Sequence, residues 1–72
     1  MTNEPQTPHE WLLLALSDFN ISVLSDHGRL LEVEKEYSIE IEPNGVFKLR
    51  WKGKVVAPFQ DLAELCRFIQ MS

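Results

Sequence analysis

The side chains able to do acid–base, nucleophilic or metal chemistry are few in this chain and widely spread. The histidines are His9 and His27, and the only thiol is Cys66. A catalytic histidine needs a nucleophile or a substrate proton within hydrogen-bond reach, and no motif ties a hydroxyl or thiol to either one. His9 falls in the first turn of an expected helix and His27 in a cluster of turn formers, so each reads as a local structural residue. Cys66 sits on an apolar helical stripe, where a thiol behaves as a small hydrophobe. The sequence therefore points away from an enzyme.

Glu32, Glu34 and Glu36, together with Asp26 and His27, supply oxygen and nitrogen ligands. They lack the glycine-punctuated spacing that a calcium loop requires, and a lone cysteine cannot build a thiolate zinc site. Three scattered glycines form neither a phosphate loop nor a dinucleotide fingerprint. No metal and no cofactor is expected.

Two charge clusters remain. Lys48, Arg50, Lys52 and Lys54 place four cations within seven residues, with Trp51 among them. Cations beside an aromatic platform are the chemistry of nucleic-acid or anionic-ligand binding. Against that stand a formal net charge of −4 and a facing acidic set, Glu32, Glu34, Glu36, Glu40 and Glu42. Cations neutralised across a sheet cannot also serve phosphates, so nucleic-acid binding is the second reading rather than the first. The acidic set could equally imitate phosphates, but a solubilising sheet face accounts for it more simply.

The elements that position these groups are legible. Residues 1–6 are polar, carry Pro5, and are expected to form a disordered tail, leaving 7–72 as a single domain. Thr7-Pro8-His9-Glu10 is a helix start: threonine caps, proline loses no needed donor at the first position, and glutamate completes the capping box. The helix should end near Ser17 or Asp18, with Asn20 at its exit. Ile21–Leu24 forms a short extended stretch, and 25–28 a turn.

Between Leu31 and Glu42 the odd positions are apolar except for Lys35, and the even ones are charged except for Ser38. Period two with one apolar side means a sheet with one buried face. A break or bulge is expected near Lys35, because 14 residues would be long for one strand. At Pro43-Asn44-Gly45, a three-residue loop keeps both apolar sets on one face. It pairs Ile41 with Phe47, Ile39 with Leu49 and Tyr37 with Trp51, and across the other face Glu40 with Lys48 and Ser38 with Arg50. Lys52-Gly53 turns the chain into Lys54–Ala57, with Val56 expected beside Leu49. Pro58 closes that strand, and a second helix runs from about Phe59 to Gln70 on a stripe of Phe59, Leu62, Cys66 and Ile69.

The resulting fold class is α+β in two layers: a helix, an antiparallel β-meander of three to five strands, and a helix, with both helices on one face of the sheet. The first helix is apolar on more than one side over Trp11–Leu16. A sheet cannot cover such a helix completely, so Trp11, Leu12 and Leu16 are candidates for a protein interface, and the chain reads as an interaction module. It would self-associate or dock on another protein through this helix and an adjacent sheet edge. The polar start of the chain does not read as a signal peptide, and the solitary cysteine fits a reducing compartment, so a cytoplasmic location without membrane contact is expected.

Overall fold

The structure is a computed structural model that describes residues 7–72; the tail expected at 1–6 lies outside the described residues. Its elements are α1 (Pro8–Asp18), β1 (Val23–Asp26), β2 (Leu30–Val33), a short 3₁₀ turn (Glu34–Glu36), β3 (Tyr37–Ile41), β4 (Phe47–Trp51), β5 (Lys54–Phe59) and α2 (Leu62–Met71). The five strands pair antiparallel in the order β1-β2-β3-β4-β5, a plain meander. Leu31, Val33, Tyr37, Ile39, Phe47 and Leu49 project from one face and form a single buried cluster with Leu12 and Leu16 of α1 and Leu65, Cys66 and Ile69 of α2. Both helices therefore cover that face, and the α+β two-layer class holds.

Helix α1 begins as its residues require. The Thr7 hydroxyl accepts from the Glu10 amide at 3.2 Å and lies 3.1 Å from the Glu10 carboxylate. At its far end Asn20 takes a left-handed conformation, φ 57°, which turns the chain toward the sheet. Helix α2 starts at Leu62, capped by the Asp61 carboxylate accepting from the Ala63 amide at 2.8 Å. Gln70 donates its side-chain amide to the Phe19 carbonyl at the end of α1. Trp11 and Leu62 line the same hollow at the opposite end, so the helices run in the same direction across the sheet.

The β3–β4 hairpin has the expected register in all five pairs, from Tyr37 opposite Trp51 to Ile41 opposite Phe47. The Gly45 amide donates to the Glu42 carbonyl at 3.1 Å, and Gly45 takes φ +84°, as a type I turn closed by a left-handed residue demands. Four expectations need correction. First, β1 lies two residues later than Ile21–Leu24, and Ser25 and Asp26 are part of it rather than of the turn. Ile21 instead points into the core. Second, Val56 does not sit beside Leu49: a bulge sets Ala57 opposite Leu49 and Val55 opposite Arg50, leaving Val56 as the extra residue. Third, Pro58 does not end the strand. It faces Lys48 on the sheet's outer edge, where a missing N–H breaks no ladder, and β5 continues to Phe59. Phe59 therefore belongs to the sheet and not to α2. Fourth, Trp51 does not enter the core but remains 43% exposed.

The break at Lys35 separates two strands. Lys35 and Glu36 both take left-handed conformations, φ 63° and 66°, without a glycine. The Lys35 ammonium explains why such strain is tolerated. It donates to the carbonyls of Ile69 at 3.1 Å, Gln70 at 3.3 Å and Ser72 at 3.4 Å, which places a cation on the negative end of α2. The Lys35 carbonyl in turn accepts from the Trp51 indole N–H at 3.2 Å.

This double role can be tested by urea unfolding. Lys35→Ala keeps the left-handed strain and loses the cap, and is expected to destabilise the chain by about 1–2 kcal/mol. Lys35→Gly also loses the cap but relieves the strain, and should lie about 1 kcal/mol above the alanine variant. Equal midpoints for the two variants would remove the strain from this account.

Candidate functional site

The groups with potential for chemistry are held apart by the fold. His9 projects from the first turn of α1 toward β1, with Nε2 2.8 Å and 3.0 Å from the two oxygens of Asp26. The Gly28 amide donates to the same carboxylate at 2.9 Å. The Asp26 carboxyl is held below its ordinary value first by that backbone N–H and then by His9. His27 Nε2 stands 3.8 Å from the Glu32 carboxylate on an exposed corner. No hydroxyl or thiol hydrogen-bonds to either histidine among the described residues, so the His9–Asp26 pair ties α1 to β1 and does not activate a nucleophile there.

Cys66 is fully buried in the core. Burial, and after it the negative charge of Asp18, push its thiol up to about 11, the opposite of what a reactive cysteine needs. No group of three or more His, Cys, Asp or Glu side chains among the described residues is placed to hold a metal ion.

The basic hairpin is tied down by carboxylates. On the outer sheet face Arg50 bonds Glu40 at 2.7 Å and Lys48 lies 3.6 Å from Glu42. Both pairs are diagonal to the register, in which Glu40 faces Lys48 and Ser38 faces Arg50. Lys52 is 3.4 Å from Glu36 and stands 4.6 Å over the Trp51 ring. Lys54 has no ion pair among the described residues. Three of the four cations proposed for anion contact are thus shared with neighbouring acids, and Trp51 is already covered on one side by Lys52.

The apolar side chains of α1 divide into two faces. Leu12 and Leu16, four residues apart, share the stripe that faces the sheet and are 0% exposed. That removes both from the candidate interface, because in this fold neither has surface to offer. Trp11 and Leu14 lie on the opposite side, 50% and 42% exposed. Leu14 was not singled out from the sequence: in a helix apolar all round, no periodicity distinguishes the inward face.

Trp11 borders an open hollow of about 550 Å³ lined by Pro8, Gly45, Phe47, Gln60, Asp61 and Leu62 as well. A second hollow of about 500 Å³ continues past Gln60 and Asp61 to Val46, Pro58, Phe59 and Glu64. The two share Gln60 and Asp61 and form a groove with apolar walls at the end of the molecule where both helices begin. The β3–β4 turn forms its opposite lip. Parity and turn chemistry reveal the α1 start and the β3–β4 turn that line this groove, but not their meeting, since that depends on the relative direction of the helices.

Neither protein families, nor curated proteins, nor solved structures yield a match to the chain. Its function has to be argued from the geometry alone. Among the described residues no helix is long and apolar enough to cross a membrane.

The state of Cys66 predicts both reactivity and pH dependence. Alkylation by iodoacetamide at pH 8 should be negligible in the native chain and should appear with unfolding in urea. Because the native thiol holds its proton up to about 11 while an unfolded one releases it near 9, the stabilisation is complete below pH 9 and fades as pH rises toward 11. Cys66→Ala would remove this alkaline slope; a slope unchanged in that variant would assign it to other groups.

Proposed function

We propose that the chain is a small non-enzymatic interaction module of the cytoplasm that docks through the end of α1 bearing Trp11. The observation that carries this reading is the half-exposed indole of Trp11 at the mouth of an apolar groove. Tryptophan combines a large apolar area with few rotatable bonds, which makes it the side chain most enriched at the energetic centres of protein interfaces. Leaving half of it in water gains nothing for the isolated domain, and covering it would contribute at the scale of about 1 kcal/mol or more. The dispersal of His9, His27 and Cys66 supports a binding role over a catalytic one. A solitary buried thiol accords with a reducing compartment.

The adjacent sheet edge contributes less than expected to this reading. The strand beside α1 is β1, four residues long and interrupted by a bulge between Val23 and Ser25, so its backbone offers a poor template for strand addition. Binding of nucleic acid by the basic hairpin is disfavoured by the acids already paired with Lys48, Arg50 and Lys52, which leaves Lys54 alone without one among the described residues.

Photo-crosslinking tests the surface directly. A crosslinking residue placed at position 11 in cells is expected to give a discrete adduct, of either twice the chain's mass or another fixed mass. The same residue at position 55, exposed on the opposite face, should give none. Absence of an adduct at position 11 above that control would overturn the reading. Trp11→Ala should abolish the association while destabilising the chain by only about 1 kcal/mol, against 2–5 kcal/mol for Leu16→Ala in the core.

A further inference from the structure

We infer that the groove at Trp11 takes an extended apolar segment of another protein that carries arginine or lysine. This inference rests on the docking role proposed above and adds the chemistry of the partner. Its basis is the distribution of charge. Each acid of the hairpin's outer face, Glu40 and Glu42, has a cation within 4 Å, and Glu36 is paired with Lys52. Asp61 and Glu64, which line the groove, have no ion pair among the described residues, and no lysine or arginine lines either hollow. Two carboxylates without an ion pair among the described residues are thus set along an apolar trough.

The two kinds of surface are ordered in space. Trp11, Pro8, Phe47 and Leu62 form the apolar part, Asp61 sits where the two hollows join, and Glu64 lies beyond it beside Phe59 and Pro58. Asp61 uses one oxygen, Oδ1, to accept from the Ala63 amide at 2.8 Å as the cap of α2, and its other oxygen is left for a ligand. A segment with an apolar residue against Trp11 and Phe47 would bring a following guanidinium to Asp61 and Glu64. Arginine suits this position best, since its plane can stack on the indole while its edge bonds a carboxylate. A second copy of the chain would have to bring Arg29, Lys54 or Arg67 to the groove, because Lys48, Arg50 and Lys52 are shared with its own acids.

The test is a titration of the ¹⁵N-labelled chain with two synthetic octapeptides of leucine and proline. They are identical except that one carries two arginines where the other carries glutamines. The arginine peptide is expected to shift the indole N–H of Trp11 and the amides of Gly45 and Leu62, leaving the Trp51 indole in place. It should bind about fivefold more tightly than its glutamine twin at low salt, as expected for exposed ion pairs. Asp61→Asn together with Glu64→Gln should bring that ratio to about one. Asparagine caps a helix as well as aspartate, so the fold is kept.

Equal binding of both peptides at Trp11 would overturn the cationic preference while leaving the docking surface standing. If neither peptide moved Trp11, and its resonance broadened instead as the chain was concentrated, a second copy would be the occupant and this inference would fall. Shifts confined to Lys48–Lys54 would overturn it as well.

Discussion

Water must be kept off six side chains, Leu31, Val33, Tyr37, Ile39, Phe47 and Leu49, which the period-two pattern gathers on one face of the sheet. Each contributes on the order of 1.5–3 kcal/mol when fully covered. The chain has 21 helical residues with which to cover them, 11 in α1 and 10 in α2. A sheet with one apolar face cannot accept helices on both sides, so α1 and α2 must lie next to each other. Much of the remaining structure follows from this crowding. Leu12 and Leu16 enter from one helix, Leu65, Cys66 and Ile69 from the other, and Phe68 closes the flank by packing edge-on against Tyr37 and tilted against Phe59.

The two ends of the layer are finished differently. At the end where the helices stop, polar groups knit the pieces together. Lys35 caps α2, its carbonyl receives the Trp51 indole, the Glu36 carbonyl receives the Lys52 amide at 3.1 Å, and Gln70 closes the exit of α1. The end of α2 and the β4–β5 turn converge there on the left-handed pair Lys35-Glu36. At the end where the helices start, the caps of Thr7 and Asp61 and the His9–Asp26 contact are local, and the space between Trp11 and the β3–β4 turn stays open. The open end is where an additional chain could be accommodated without disturbing the core.

How far the sequence reveals this depends on whether a residue's neighbours are local. The β3–β4 register follows from parity and one turn, so all five pairs could be read. Phe59 could not, because it satisfies both the period of two that joins it to Ala57 and the helical spacing that joins it to Leu62; the Asp61 cap decides between them. Adjacent Val55 and Val56 give parity no purchase, which hides the bulge. Trp51 has the parity of a core residue, yet it ends its strand at a two-residue turn where Lys52 and Gly53 both have positive φ, and it stays 43% exposed. Charge pairing fails for a subtler reason: parity puts Glu40 opposite Lys48, but on a twisted sheet long side chains reach the diagonal neighbour, giving Arg50–Glu40 and Lys48–Glu42.

The position of the site follows from the same packing. Both sheet edges are poor templates for association: β5 carries a bulge and Pro58, and β1 is short and bulged. The outer face is a lattice of paired charges whose disruption by a partner would forfeit pairs already made. Among the exposed apolar side chains of the described residues, Trp11 of α1 is the one that borders the groove, and the core dictates where it appears. Once Leu12 and Leu16 are committed to the sheet, helical geometry turns Trp11 and Leu14 away from it. Trp11, one residue before Leu12, then comes to line the open end together with Leu62 and Phe47. The exposed tryptophan is thus a consequence of packing a helix apolar on more than one side on a one-sided sheet, and Asp61 and Glu64, without an ion pair among the described residues, give the adjoining groove its charge.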